Sequence, residues 1–193
     1  MNTNKKRTIG RAQMILVAVV FLGPLLVALF LYFGDGNWRP MGQTNNGTLV
    51  QPVISLPQAS LSSRGDQATD SSFLLGKWSI AFLNRGPCDE PCRKTLIQIR
   101  QIRLAAGSES HRLQRVYLGN EWPDDAWIDA GHGGLIVARP DSDATFAAKL
   151  APLDTGIYLI DPLGNLMMRY DQSTESKPIF KDLKKLLKFS RIG

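Results

Sequence analysis

Strand-like and helix-like segments alternate along the C-terminal part of this 193-residue chain and then give way to a hairpin and a last helix. That order predicts an α/β domain, a mixed sheet flanked by helices. Two further observations frame it. A 20-residue uncharged run near the start predicts one N-terminal transmembrane helix, and the chain holds only two cysteines, Cys88 and Cys92, with three residues between them.

The apolar run is Met14 to Phe33, MILVAVVFLGPLLVALFLYF. At about 1.5 Å per residue a helix of that length spans the roughly 30 Å hydrocarbon core. Lys5, Lys6, Arg7 and Arg11 precede it with no acidic residue, and Asp35 follows. Residues 1–13 are therefore expected in the cytoplasm, 14–33 in the bilayer and the remainder exported. A cleaved signal peptide is the competing reading, but its apolar region would be about 7–15 residues and would end in a small-x-small site. The longer run, followed by GDGNWRP, favours an uncleaved anchor. Pro24 inside the span is tolerated in a membrane helix.

Residues 34–72 read as an exported linker, rich in Gly, Pro, Ser, Asn and Gln. Such composition buries too little surface to offset the entropy of ordering. Within it, Leu49, Val50, Val53, Ile54 and Leu56 could pair or pack if the stretch from Gly47 to Pro57 lies extended on the domain. Residues 73–193 suit one domain. Strands are expected at 77–83 (KWSIAFL), 112–118, 134–138, 156–160 and 166–170. DPLGN joins the last two as a hairpin turn. Helices are expected at 91–106, 141–150 and 178–189. Strand, helix, strand, helix, hairpin, helix is the order of a thioredoxin-like domain.

In the first of these helices Pro91 suits the opening turn, and Cys92, Leu96, Ile99, Ile102 and Ala106 fall on one face. Gly107 supplies the stop. Cys92 thus lies in the first turn and Cys88 in the loop before it. Backbone N–H groups at a helix start favour a thiolate, so such thiols are more acidic and reactive. Outside the membrane the pair either oxidises to a local disulfide or is actively kept reduced.

Three roles compete. A structural disulfide closing so small a loop constrains the unfolded chain little. A thiol–disulfide exchange site usually has two intervening residues, not three. A pair of thiolates also suits Cu(I). Asp89 and Glu90 disfavour thiolate formation and favour a bound cation, while Arg93 and Lys94 act in the opposite sense. The spacing and the acidic insert lean toward metal.

KWSIAFL, a loop, C-x-x-x-C, an amphipathic helix and the late IYLIDPLGNL hairpin together resemble the Sco/SenC family over roughly Leu74 to Leu187, with the N-terminal anchor in addition. The resemblance implies a membrane-tethered thioredoxin fold that helps to assemble the copper centre of cytochrome c oxidase. Cys88 and Cys92 match the family's two copper thiolates. Its third ligand, a histidine shortly before the hairpin, is replaced here by Leu153 and Asp154, and Arg93 stands where a proline usually follows the second cysteine. Stable Cu(II) binding, which normally wants imidazole, is put in doubt more than transient Cu(I) handling.

His111 and His132 read as solvated loop histidines, although AGHGG is a flexible loop that could approach the cysteines. EWPDDAWID reads as a helix start with Trp122 and Trp127 as aromatic anchors. The tail KPIFKDLKKLLKFSRIG is an amphipathic basic helix that packs on the core, with lysines able to face anionic lipid. The net charge of +6 comes from the two ends, and the body between them is mildly acidic, so no nucleic-acid surface is indicated.

The combined expectation is a single-pass bacterial inner-membrane protein with a periplasmic domain. It assists oxidase assembly through Cys88 and Cys92, handling Cu(I) or reducing an acceptor's disulfide. The acceptor is an oxidase subunit or another copper-assembly factor. The alternatives are a general periplasmic thiol–disulfide oxidoreductase and a non-catalytic scaffold with a vestigial disulfide.

Overall fold

The computed structural model describes residues 3–33, 45–64 and 67–190. It divides into two compact units, Met1–Gln43 and Thr44–Gly193. The first contains helix α1 (Thr3–Phe33), whose stretch Gln13–Leu31, with mean hydropathy 3.0, is long and apolar enough to cross a membrane.

The second unit is built on a six-stranded mixed sheet whose strands, from one edge to the other, are β1 (Thr48–Ser55), β8 (Asn165–Tyr170), β7 (Gly156–Ile160), β4 (Trp78–Asn84), β5 (Leu113–Gly119) and β6 (Leu135–Ala138). Its central strand, β4 (Trp78–Asn84), is buried at every position, as expected of a strand covered on both faces. β4 pairs in parallel with β5 (Leu113–Gly119), which pairs in parallel with β6 (Leu135–Ala138). On its other side β4 pairs antiparallel with β7 (Gly156–Ile160), and β7 with β8 (Asn165–Tyr170). The hairpin closes as expected. Asp161 Oδ1 accepts the N–H groups of Leu163 and Asn165, and Gly164 takes the positive φ of +83° that the turn requires.

Helices cover both faces. α2 (Glu90–Ala105), the short α3 (Asp125–Gly131) and α5 (Ser176–Phe189) enclose a core of Ile80, Phe82, Leu96, Ile99, Tyr117, Ile128, Ile157, Ile179 and Leu183. α4 (Ala144–Leu150) covers the opposite face, where Phe146 and Leu150 meet Leu83, Val116, Tyr158 and Ile160. This is a thioredoxin-like arrangement, and the expected strands and helices lie within a few residues of their predicted positions.

The expected linker 34–72 needs correction over its described part. Residues 48–55 form β1, which pairs antiparallel with β8 at the sheet edge. β2 (Ser60–Ser62) and β3 (Ala68–Asp70) form a second, two-stranded sheet. Leu61 and Leu74 are buried in the α4-side core, and Val50, Ile54 and Leu56 pack against it, whereas Leu49 and Val53 remain exposed. Composition understates such a segment because its hydrogen-bonding partner lies more than a hundred residues away in sequence. Pro52, which lacks an N–H, is tolerated on an edge strand.

A buried carboxylate fixes the entry of this segment. Asp182 of α5 accepts bonds from Asn46 N (2.6 Å), Asn46 Nδ2 (2.8 Å), Gly47 N (3.0 Å) and Tyr170 Oη (3.0 Å). Gly47 is required there, since an added Cβ would lie 2.5 Å from the Tyr170 ring. Burial and the adjacent Asp182 push the Tyr170 phenol well above its usual range.

Candidate functional site

β4 delivers the chain to the site and α2 carries it away. Between them, residues 85–89 form a loop, and a disulfide joins Cys88 to Cys92 with a Cα–Cα distance of 5.0 Å. Asp89 is the N-cap of α2. Its carboxylate accepts the Cys92 N–H at 3.3 Å, and Pro91 occupies the first turn, where a missing N–H costs nothing. Of the two acidic residues between the cysteines, Asp89 therefore serves the helix start. Cys92 is 1% exposed on the core face of α2, while Cys88 is half-buried against the same core. The two sulfurs are bonded to each other, with Cys88 the more accessible.

Asn84, the polar last residue of β4, holds the loop. Its Nδ2 donates to the carbonyls of Gly86 (2.9 Å) and Pro87 (3.2 Å) and to Tyr117 Oη (3.1 Å). Tyr117 is fully buried on β5, donates to the Glu121 carbonyl and lies 4.0 Å from Cys92 Sγ. Burial pushes its phenol above the usual range. Gly119 makes room for that ring, as a Cβ there would sit 2.7 Å from Tyr117 Oη. Asn84 and Tyr117 were not singled out from sequence. A lone amide ending KWSIAFLN is a readable signal, but nothing in RVYLGN separates Tyr117 from an ordinary core aromatic.

Arg85 ties the loop to the segment before β7. Its guanidinium donates to the carbonyls of Leu150 and Leu153, capping the C-terminus of α4, and its backbone N–H donates to Thr155 Oγ1 at 3.1 Å. The positions where the resemblance expects a histidine are thus brought beside the cysteine loop. They offer a half-buried Leu153 and an exposed Asp154, whose carboxylate pairs with Arg169 at 3.0 Å.

His132 corrects the expectation of a solvated loop histidine. It is 4% exposed, stacked on Trp127 at 4.1 Å, and its Nδ1 has no hydrogen-bond partner. Burial, with the Arg115 and Arg100 charges, holds its pKa below the usual value. Arg93, directly after Cys92, lies over the other partner of that stack, 5.7 Å from the Trp127 ring centroid. Arg115 is buried on β5, donates to the carbonyls of His132 and Gly133, and is pushed down to about 10 by burial and by neighbouring Arg103 and Arg100. His111 is exposed, as expected. Trp122 and Trp127 pack on the core at the start of α3, as their pattern suggested. Among the described residues, no group of three or more His, Cys, Asp and Glu gathers as a metal site. The donor set fits a two-thiolate site of the reduced protein and not one completed by imidazole.

A thioredoxin-type sheet, with one cysteine in the loop after its central strand and the other in the first turn of the next helix, defines the class as a thioredoxin-like protein with a candidate dithiol site. The chain belongs to the family described as transmembrane-like, thioredoxin-like, C-terminal domain, whose sequence model matches residues 78–190. No curated protein matches the sequence. Copper-bound ScoI of Bradyrhizobium japonicum has a similar fold, with TM-score 0.53 and 17% identity over 68% of this chain and 98% of that one. BsSco, a member of the Sco family of cytochrome c oxidase assembly proteins in which a disulfide switch is identified, matches with TM-score 0.55 and 12% identity over 77% of this chain and 100% of its own. The thioredoxin domain of a thiol-disulfide oxidoreductase from Bacteroides vulgatus matches with TM-score 0.51 and 13% identity, over 69% and 95%. The Sco-like fold expected from the sequence is therefore present, and the chain also carries an apolar N-terminal helix.

Proposed function

We propose that this chain is a membrane-anchored assembly factor of the bacterial inner membrane that exchanges thiols and disulfides through Cys88 and Cys92 in the periplasm. The observation that carries the reading is the pairing of a half-exposed Cys88 with a buried Cys92 in the first turn of α2. In the reduced protein the Cys88 thiolate attacks one sulfur of an acceptor's disulfide and releases the other as a thiolate. Cys92, having given up its proton, then attacks Cys88 Sγ. The products are the Cys88–Cys92 disulfide and an acceptor dithiol, two electrons richer. An upstream dithiol donor restores the reduced pair. The kinship in fold with Sco proteins supports a copper-site subunit of cytochrome c oxidase, or another copper-assembly factor, as the acceptor.

The donor set supports a second reading, in which the reduced pair takes Cu(I) as cargo between two thiolates and passes it on. No residue at 153–154 supplies the imidazole that Cu(II) would want. One set of variants tests both. Cys92→Ser should trap acceptors as mixed disulfides on Cys88, and Cys88→Ser should trap none. Trapping by Cys88→Ser alone would reverse the assignment, equal trapping by both would refute a single attacking cysteine, and no trapping by either would remove exchange as the activity. Anaerobic Cu(I) titration of the reduced chain against a competing chelator checks the cargo reading. One-to-one binding lost in the double Cys→Ser variant would sustain it, and absence of binding would end it.

A further inference from the structure

The oxidised site leaves one hydrogen-bonding position unused beside Cys92. Tyr117 Oη lies 4.0 Å from Cys92 Sγ, and the ring is fully buried. A phenol hydroxyl has one proton to donate and two lone pairs. The proton goes to the Glu121 carbonyl, and one lone pair takes the Asn84 amide at 3.1 Å. The second has Cys92 Sγ as its neighbour, and a disulfide sulfur has no proton to give.

Reduction changes this. Two electrons and two protons convert the Cys88–Cys92 bond into two thiols, and the new Cys92 S–H lies within reach of the Tyr117 acceptor. The bond exists in only one redox state, and only a differential interaction shifts an equilibrium. Resting on the exchange reading above, we infer that Tyr117 is a positioning residue that stabilises the reduced form of Cys92. It thereby raises the reduction potential of the pair, and Cys88 is left as the sulfur presented to an acceptor.

Tyr117→Phe keeps the ring and removes the hydroxyl, while Asn84 retains the carbonyls of Gly86 and Pro87. Loss of one such bond destabilises the dithiol about three- to tenfold against the disulfide, about 15–30 mV toward more negative potential. The full chain in detergent is equilibrated with graded ratios of reduced and oxidised dithiothreitol, and the reduced fraction is read by thiol alkylation and mass shift. Phe82→Leu loosens the tilted ring contact with Tyr117, whose centroids lie 5.8 Å apart, without touching the hydroxyl. Its potential should stay at the wild-type value.

No shift in Tyr117→Phe, or equal shifts in both variants, overturns the inference and leaves the exchange reading standing. A wild-type pair that never equilibrates sinks the exchange reading and the inference with it. The infrared S–H stretch of the reduced wild-type chain gives a readout independent of how any variant folds. A Cys92 band at lower frequency than that of Cys88 is expected, and coincident bands overturn the assignment.

Discussion

Asp182→Ala should cost the folded unit about 3 kcal/mol, because it leaves the buried Gly47 N–H without an acceptor and the Tyr170 hydroxyl with only the weakly accepting Met168 thioether, 3.8 Å away. The carboxylate is 2% exposed and receives the Gly47 N–H and the Tyr170 hydroxyl, both at 3.0 Å in buried bonds. Each orphaned donor costs about 1–3 kcal/mol. The two Asn46 donors are partly accessible and recover water, so they add little. The loss is large against the roughly 5–15 kcal/mol that holds a typical domain. Asp182→Asn keeps one acceptor oxygen and should lose about half as much. Urea unfolding of Thr44–Gly193, followed by tryptophan fluorescence, measures both. The result also bears on where the domain begins, since Asn46 and Gly47 lie in the stretch whose composition reads as linker. A loss below about 1 kcal/mol for Asp182→Ala would refute the claim that this carboxylate anchors the entry of the chain, given the cost of even one orphaned donor.

Other perturbations follow from the site. Gly119→Ala places a Cβ 2.7 Å from Tyr117 Oη and should destabilise by about 1–3 kcal/mol, with the Cys88–Cys92 potential altered as the ring moves, read by denaturation and redox titration. Arg85→Ala removes the guanidinium from the Leu150 and Leu153 carbonyls and should cost about 1 kcal/mol in the same unfolding assay. His132 has a folded pKa depressed by burial and by Arg115 and Arg100, so the unfolded chain takes up its proton first as pH falls. Stability should therefore decline as pH falls below about 6.5, and His132→Gln should flatten that decline in urea midpoints measured across the range.

The central elements were legible in the sequence because their signals are local. KWSIAFL is a strand by its short, mostly apolar run ending in IAFL, the spacing from Cys92 to Ile102 specifies one helix face, and DPLGN specifies a turn by its Asp and Gly chemistry. Pro91 marks the start of α2, and that alone puts Cys92 in its first turn, whereas the capping role of Asp89 came from the structure. β1 was only half visible, since an edge strand with Pro52 and two exposed apolar residues gains its stability from β8, far away in sequence. His132 was misjudged because AGHGG has the composition of an open loop. Its burial comes from the stack on Trp127 and from Arg115 on β5, which no local pattern records.

By itself the sequence determined an apolar helix able to span a bilayer, an α/β domain, and a cysteine pair with no histidine nearby in the chain. Those features depend on residue type and short-range spacing, which hydrophobic burial and turn geometry translate directly into structure. Only the tertiary structure decided that Asn84 and Tyr117 surround Cys92, and that Arg85 locks residues 150–155 beside the loop. Each of those facts depends on parallel and antiparallel strand pairing that brings β4, β5 and β7 side by side. Pairing of that kind is set by the whole core and by no single stretch of the chain.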